Sequence, residues 1–292
     1  MNMALRSGSI YGKTARFDEQ ARALTEDELR EIAPSIFAVT AHESRSERFR
    51  PIPTIEVVHG LAKEGFSVVG ARQAVCRQEG RADFTKHLLR LRRLDDEKKY
   101  QVNDSVFEML LKNANDGTAA YDLLGALWRI CCLNSLVSQT DTIDTVKVRH
   151  SGDVQQKVIE GTYRVLNEAE TYLAAPQDWP QIKIERAERE AFAKAAHVLR
   201  FADSEGNVTT PVTPDQLLTP RRQEDTAPNL WTVFNVVQEN TIKGGIHAMG
   251  RDANNRPRRT TTRRINGIDQ DVKLNKALWV LASEMAKIKA TV

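Results

Sequence analysis

Apolar and polar positions alternate with period two along Ser67–Arg77 and again along Phe84–Arg93. Such alternation predicts two half-buried strands. Thr54–Lys63 reads as a short helix ahead of them, with Pro51 and Pro53 stiffening its entry and Thr54 as its N-cap. Ser105–Lys112 predicts a third strand, closed by the turn signal Asn113–Gly117. Thr118 then stands as the cap of a helix predicted over Ala119–Leu133.

The same reading extends to both ends of the chain. Thr25–Glu28 is a capping box that opens a short helix. Asp141–His150 alternates again and forms a predicted hairpin with Ser135–Thr140. Helical spacing predicts helices over Val154–Ala175, stopped by Pro176, and over Pro180–Phe201. The stretch 203–228 holds four prolines and predicts loops around one short helix at Pro214–Leu218. Asn229–Lys243 predicts a strong helix with Trp231, Phe234, Val237 and Thr241 on one face and Gly244-Gly245 at its end. Asn254-Asn255 marks either a hairpin turn or a mobile loop within Ile246–Ile265, and Val272–Lys289 predicts the last helix. The expected fold is α+β: a helix–three-stranded antiparallel sheet–helix core, an added hairpin and a helical C-terminal half. Its parts are an N-terminal arm (1–45), an α+β core (46–175) and a helical region (176–292).

Composition narrows the class. The chain has 292 residues, 41% hydrophobic and 28% charged, which fits a soluble globular protein with a sizeable core. No apolar run approaches a membrane span, and Met1–Arg22 lacks the apolar centre of a signal peptide. Cys76, Cys131 and Cys132 make neither a disulfide framework nor a metal-ligand spacing, so a cytoplasmic setting is expected.

Net charge is only +3, so its distribution matters more than its total. Strand alternation puts Arg72, Lys86, Arg90 and Arg92 on the sheet face opposite the apolar residues. A cationic sheet face suits phosphate backbones, although charge on the outer face of an antiparallel sheet is also common without any ligand. The second basic feature is denser. Arg251, Arg256, Arg258, Arg259, Arg263 and Arg264 fall within fourteen residues, among threonines and against the single acid Asp252. Forked guanidinium donors and hydroxyls suit phosphate oxygens. Candidate stacking platforms for bases are few: Phe84, Tyr100, Tyr121 and Trp179.

Catalytic signatures are absent from the sequence. Its six histidines are scattered with no metal spacing, no strand–turn–helix serine motif occurs, and Gly12-Lys13-Thr14 lacks the rest of a phosphate-binding loop. No enzyme activity, cofactor or metal is expected.

Several segments carry a family resemblance: Ser46–Thr54, Gly70–Gln73, Lys86-His87 with Leu91–Arg93, Asn113–Tyr121, Val148–Gly152, Leu230–Asn240 and Leu274–Trp279. Together they resemble the phage/plasmid-like protein family of unknown function, which usually has His where this chain has Asn115. The order of elements is also similar to that of the single-strand annealing proteins, such as the Red beta-like proteins of phages. That likeness implies an ATP-independent protein that anneals single-stranded DNA in phage or plasmid recombination and assembles as a homo-oligomeric ring or filament. On this expectation Arg72, Lys86, Arg90 and Arg92 line the sheet side of a groove. Arg256, Arg258, Arg259, Arg263 and Arg264 clamp the DNA backbone from an arginine-rich loop. The alternative is a protein-binding module that acts on a host defence or repair factor.

Overall fold

A computed structural model describes residues 22–43, 53–76, 80–94, 105–129, 134–137, 146–148, 154–167, 169–251 and 254–291. Tyr100, Cys131, Cys132, Asp252 and most of Asp141–His150 lie outside them. The chain is α+β and divides into two compact units. One takes in the chain up to Val102, Phe107–Ala126 and Asp144–Glu168; the other takes in Asn103–Val106, Leu127–Ile143 and Ala169–Val292.

In the first unit, helix α1 (Glu26–Ile32) opens with the predicted capping box between Thr25 and Glu28. A short 3-10 turn (Pro34–Phe37) and helix α2 (Thr54–Lys63) follow. Then come strands β1 (Phe66–Gln73), β2 (His87–Arg93), β3 (Ser105–Asn113) and β4 (Tyr121–Arg129). These strands lie in the order β1-β2-β3-β4, and β6 (Val146–Val148) pairs with β4; β5 (Asn134–Val137) falls in the second unit. Helices α1 and α2, with α3 (Val154–Asn167), contribute Leu29, Val57, Leu61, Val158 and Val165 to one core. The sheet contributes Phe66, Val68, Leu89, Leu91, Met109, Leu111, Tyr121 and Leu123 to the same core.

Several expectations are corrected here. The helix expected over Ala119–Leu133 is strand β4. Tyr121 and Leu123 enter the core while Asp122, on the other face, pairs with Lys112 of β3 at 2.8 Å. Both faces of β4 are buried from Tyr121 to Leu127, and a strand buried on both faces shows an apolar run without clear alternation. Thr118 caps no helix; its hydroxyl donates to Asp116 in a local turn. The hairpin expected of Ser135–Thr140 with Asp141–His150 lies mostly outside the described residues; of it, β6 lies antiparallel on β4, Tyr121 opposite Val148. Thr54 is the first residue of α2 rather than its cap, and its hydroxyl turns inward. A β-bulge at Val69 puts Val68 and Ala71 on the same core-facing side, so simple alternation misplaces Val69.

The second unit is mainly helical. Helix α4 (Ala169–Asp178) is separate from α3 and carries Pro176 inside it, where a stop was expected. Helix α5 (Arg186–Phe201) starts later than expected, behind the cap Glu185. Then follow α6 (Pro214–Leu217), α7 (Leu230–Lys243), the antiparallel hairpin β7 (His247–Arg251) and β8 (Pro257–Thr261), and α8 (Ile268–Ala290). Trp179, Trp231, Phe234 and Trp279 pack as one aromatic cluster, with the Trp179 and Trp279 ring centres 4.6 Å apart. Helix α7 buries every residue from Leu230 to Ile242, not one face only. Two of its polar side chains donate internally: Asn235 to the Trp231 carbonyl at 2.7 Å and Gln238 to Asn275 at 2.6 Å. No described helix is long and apolar enough to cross a membrane.

Candidate nucleic-acid interface

The two basic features predicted from sequence have opposite fates. On the sheet, Arg72, Arg90 and Arg92 do share the face turned away from the core helices, as the register Arg72–Leu88 and Gly70–Arg90 requires. That face is not open. Leu88, Leu110 and Leu124 are buried on it, and so are Arg90 and Arg92, at 7% and 4% exposure. Glu108, two residues along β3 from Leu110, the partner of Arg90, supplies the counter-charge. Arg90 donates to it through Nε at 2.6 Å and Nη2 at 2.9 Å; Arg92 donates through Nε at 3.0 Å and through Nη2. A glycine at position 70 leaves room for the Arg90 side chain, whose Cδ lies 3.0 Å from where a Cβ would stand. Arg90 and Arg92 are therefore structural cations, and their expected place in a DNA groove is withdrawn. Arg72 and Lys86 are half-buried at the end of the same strands.

Beneath the sheet's other face, α2 and the strands assemble a polar hub that sequence reasoning missed. His87, fully buried, has Nδ1 2.8 Å from the Ser35 hydroxyl and Nε2 2.9 Å from the Thr54 hydroxyl. Asn113 donates to Thr54 at 3.0 Å, and the Tyr121 hydroxyl lies 3.4 Å from the same oxygen. Burial pushes the Tyr121 hydroxyl upward in pKa, against a smaller opposing pull from Thr54. Asn115 donates to the Ser35 carbonyl at 3.3 Å, and Gln73 accepts from the Ser35 amide at 2.9 Å. Hydroxyl and amide partners around the buried imidazole tie β1, β2, β3 and β4 to the 3-10 turn and the start of α2. One linear signal pointed here: Gln73, His87, Asn113 and Tyr121 all belong to the segments that carry the family resemblance. Among the described residues, no three His, Cys, Asp or Glu side chains are grouped to hold a metal ion.

The hairpin keeps its charge in solvent. Arg251, Arg256, Arg258, Arg259, Arg263 and Arg264 are all exposed. No described carboxylate forms an ion pair with Arg251, Arg258, Arg259, Arg263 or Arg264. The turn is made by Asn255, which sits at φ +61°, a conformation asparagine tolerates well. Register sets the faces. Met249 lies opposite Arg259 and Arg251 opposite Pro257, all on the outer side; Gly250 lies opposite Arg258 and Ala248 opposite Thr260 on the inner side. Ala248 is buried, and a Cβ on Gly250 would stand 3.2 Å from the Pro211 ring.

Two arginines outside the cluster hold the base of this hairpin. Arg221 donates from Nε to Asn240 at 2.8 Å and from Nη2 to the Gly244 carbonyl, where the hairpin leaves α7. Arg200 donates to the Thr241 carbonyl at 3.2 Å and to the Arg263 carbonyl at 3.0 Å, where the hairpin returns. Gly244 itself has φ +64°, and a Cβ there would stand 2.6 Å from the Arg263 carbonyl carbon. Backbone bonds from Gly245 to Thr262 and from Ile265 to Ile242 close the base, both at 2.8 Å. Nothing in the linear pattern marks Arg200 or Arg221, because both act from distant parts of the chain, Arg200 through two backbone carbonyls and Arg221 through one carbonyl and the Asn240 side chain.

Fold and surface together define an α+β protein that presents an anchored, arginine-rich hairpin. The chain belongs to the family described as Domain of unknown function (DUF932), whose model matches residues 41–279. It is similar to two proteins of Escherichia coli (strain K12), UPF0380 protein YafZ and UPF0380 protein YfjQ. Each is 41% identical over 280 residues, covering 96% of this chain and 97% of the relative. No solved structure matches the chain.

Proposed function

We propose that this protein binds single-stranded DNA through the β7–β8 hairpin and brings complementary strands together without a covalent step. The observation that carries the reading is the exposure of the six hairpin arginines on a ribbon whose base is fixed by Arg200 and Arg221. Cations on both faces of a narrow ribbon suit a flexible strand that can follow it. The neighbouring helix α7 is buried all round and offers no surface to a duplex groove. Arg258, Arg259 and Arg263 bind phosphates, with Arg256 and Arg264 at the ends of the basic tract. Annealing adds a second requirement, an oligomer (ring or filament) that holds the strand extended.

Fluorescence anisotropy with a labelled oligothymidine across a salt series tests the reading. Each phosphate contact steepens the logarithmic salt dependence by about 0.7 for a single strand, so changing Arg258, Arg259 and Arg263 together to Ala lowers the slope by about 2. Absent or salt-independent binding overturns it and favours the protein-partner alternative. Tighter binding to a duplex of equal length overturns the choice of single strand. Light scattering on the DNA complex and a strand-annealing rate assay test the oligomer and the second step.

A further inference from the structure

A protein that only neutralises phosphates needs no apolar group on its binding face. The hairpin nevertheless has one. Met249 is 65% exposed, directly across the ladder from Arg259 and two residues from Arg251 on the same outer face. Cross-strand neighbours stand about 5 Å apart and alternate residues on one strand about 7 Å apart, so Met249 has one arginine across the ladder and another along its own strand, Arg251, whose Nη1 donates to the Asn255 carbonyl at 2.9 Å. Pro257 shares this face, and His247 braces its far end with Nδ1 2.8 Å from the Thr261 hydroxyl.

The aromatic residues expected to stack on bases are not available for it. Tyr121 is fully buried in the hub and Trp179 sits in the aromatic cluster. Phe84 is half-buried with its ring against His42, 5.5 Å between centres. Tyr100 lies outside the described residues. The outer hairpin face thus offers a long, polarizable, apolar side chain between phosphate-binding groups. Methionine is among the side chains that proteins insert between base steps, and its flexible thioether adapts to any base.

We infer that Met249 is the base-contacting residue of the hairpin, lying against an unstacked base while Arg251 and Arg259 hold the phosphates beside it. The inference rests on the proposed single-strand reading and adds to it the ligand group recognised: the face of a nucleobase, independent of its identity.

An abasic oligonucleotide separates this contact from the phosphate contacts, because it keeps every charge and lacks the bases. The full-length protein is expected to bind oligothymidine about tenfold more tightly than an abasic strand of equal length. Met249→Ala erases that preference and leaves the salt slope unchanged, whereas Arg259→Ala lowers the slope by about 0.7 and keeps the preference. Met249→Leu restores most of it. Met249 is mostly exposed, so an unchanged thermal melt confirms that the variants are folded. Equal, salt-dependent binding of both strands by the unmodified protein overturns the inference and leaves the single-strand reading standing. So does a preference that survives Met249→Ala. Failure to bind either strand overturns both.

Discussion

Replacing Glu108 with glutamine decides whether the sheet arginines are structural or ligand-binding. The carboxylate is 1% exposed and is shared by Arg90 and Arg92, themselves 7% and 4% exposed, so water screens none of the three appreciably. Glu108→Gln preserves shape and removes the negative charge on which both guanidinium groups converge, at 2.6, 2.9 and 3.0 Å in the bonds with ordinary lengths. Removing one member of a buried ionic cluster costs about 3–5 kcal/mol, because the remaining charges stay desolvated. Against a total stability of about 5–15 kcal/mol this is a large fraction. With a urea m-value of about 2–3 kcal/mol/M, the midpoint of unfolding falls by about 1–2 M. Changing Arg90, Arg92 and Glu108 together to methionine removes these three charges and recovers most of the loss. A midpoint shift below about 0.3 M, accompanied by tighter DNA binding as the arginines are released, would refute the structural assignment.

Gly244→Ala forces a Cβ against the Arg263 carbonyl in a backbone region that only glycine occupies readily, at a cost of about 1–3 kcal/mol. The hairpin base loosens, and trypsin cleavage within 251–264 accelerates; an unchanged cleavage rate would mean that the anchor is not needed. Burial is the largest influence on Glu239 and acts to raise its pKa, but hydrogen bonds and charge from Arg222 and Lys243 outweigh it and hold the carboxyl below the usual glutamate range. A group with a depressed folded pKa contributes stability above its unfolded pKa and loses it as pH falls through the folded one. Urea midpoints should therefore drop as pH falls below the ordinary glutamate range, and Glu239→Gln should flatten that part of the profile; identical profiles would exclude the linkage.

The strand alternation correctly grouped Arg72, Arg90 and Arg92 on one face, yet it gave no view of what lies across the ladder. Glu108 sits in a different strand, and only antiparallel pairing brings it beside both arginines. The error at β4 has a related origin. Tyr121–Leu127 is buried on both sides, so the solvent-facing polar positions that would show a period of two are missing. Asn115 and His87 could be noticed in sequence only as parts of recurring segments; their partners Ser35 and Thr54 are supplied by elements dozens of positions away.

Local chemistry fixed the features that depend on neighbours in the chain: the capped α1, helix α2, the body of α7 ended by Gly244, and the Asn-Asn hairpin with its arginines. Tertiary structure decided which cations remain in water. A side chain's charge is written in its residue type, but its availability depends on the dielectric around it and on the nearest opposite charge. Folding sets both, burying Arg90 and Arg92 on Glu108 and leaving the hairpin arginines exposed.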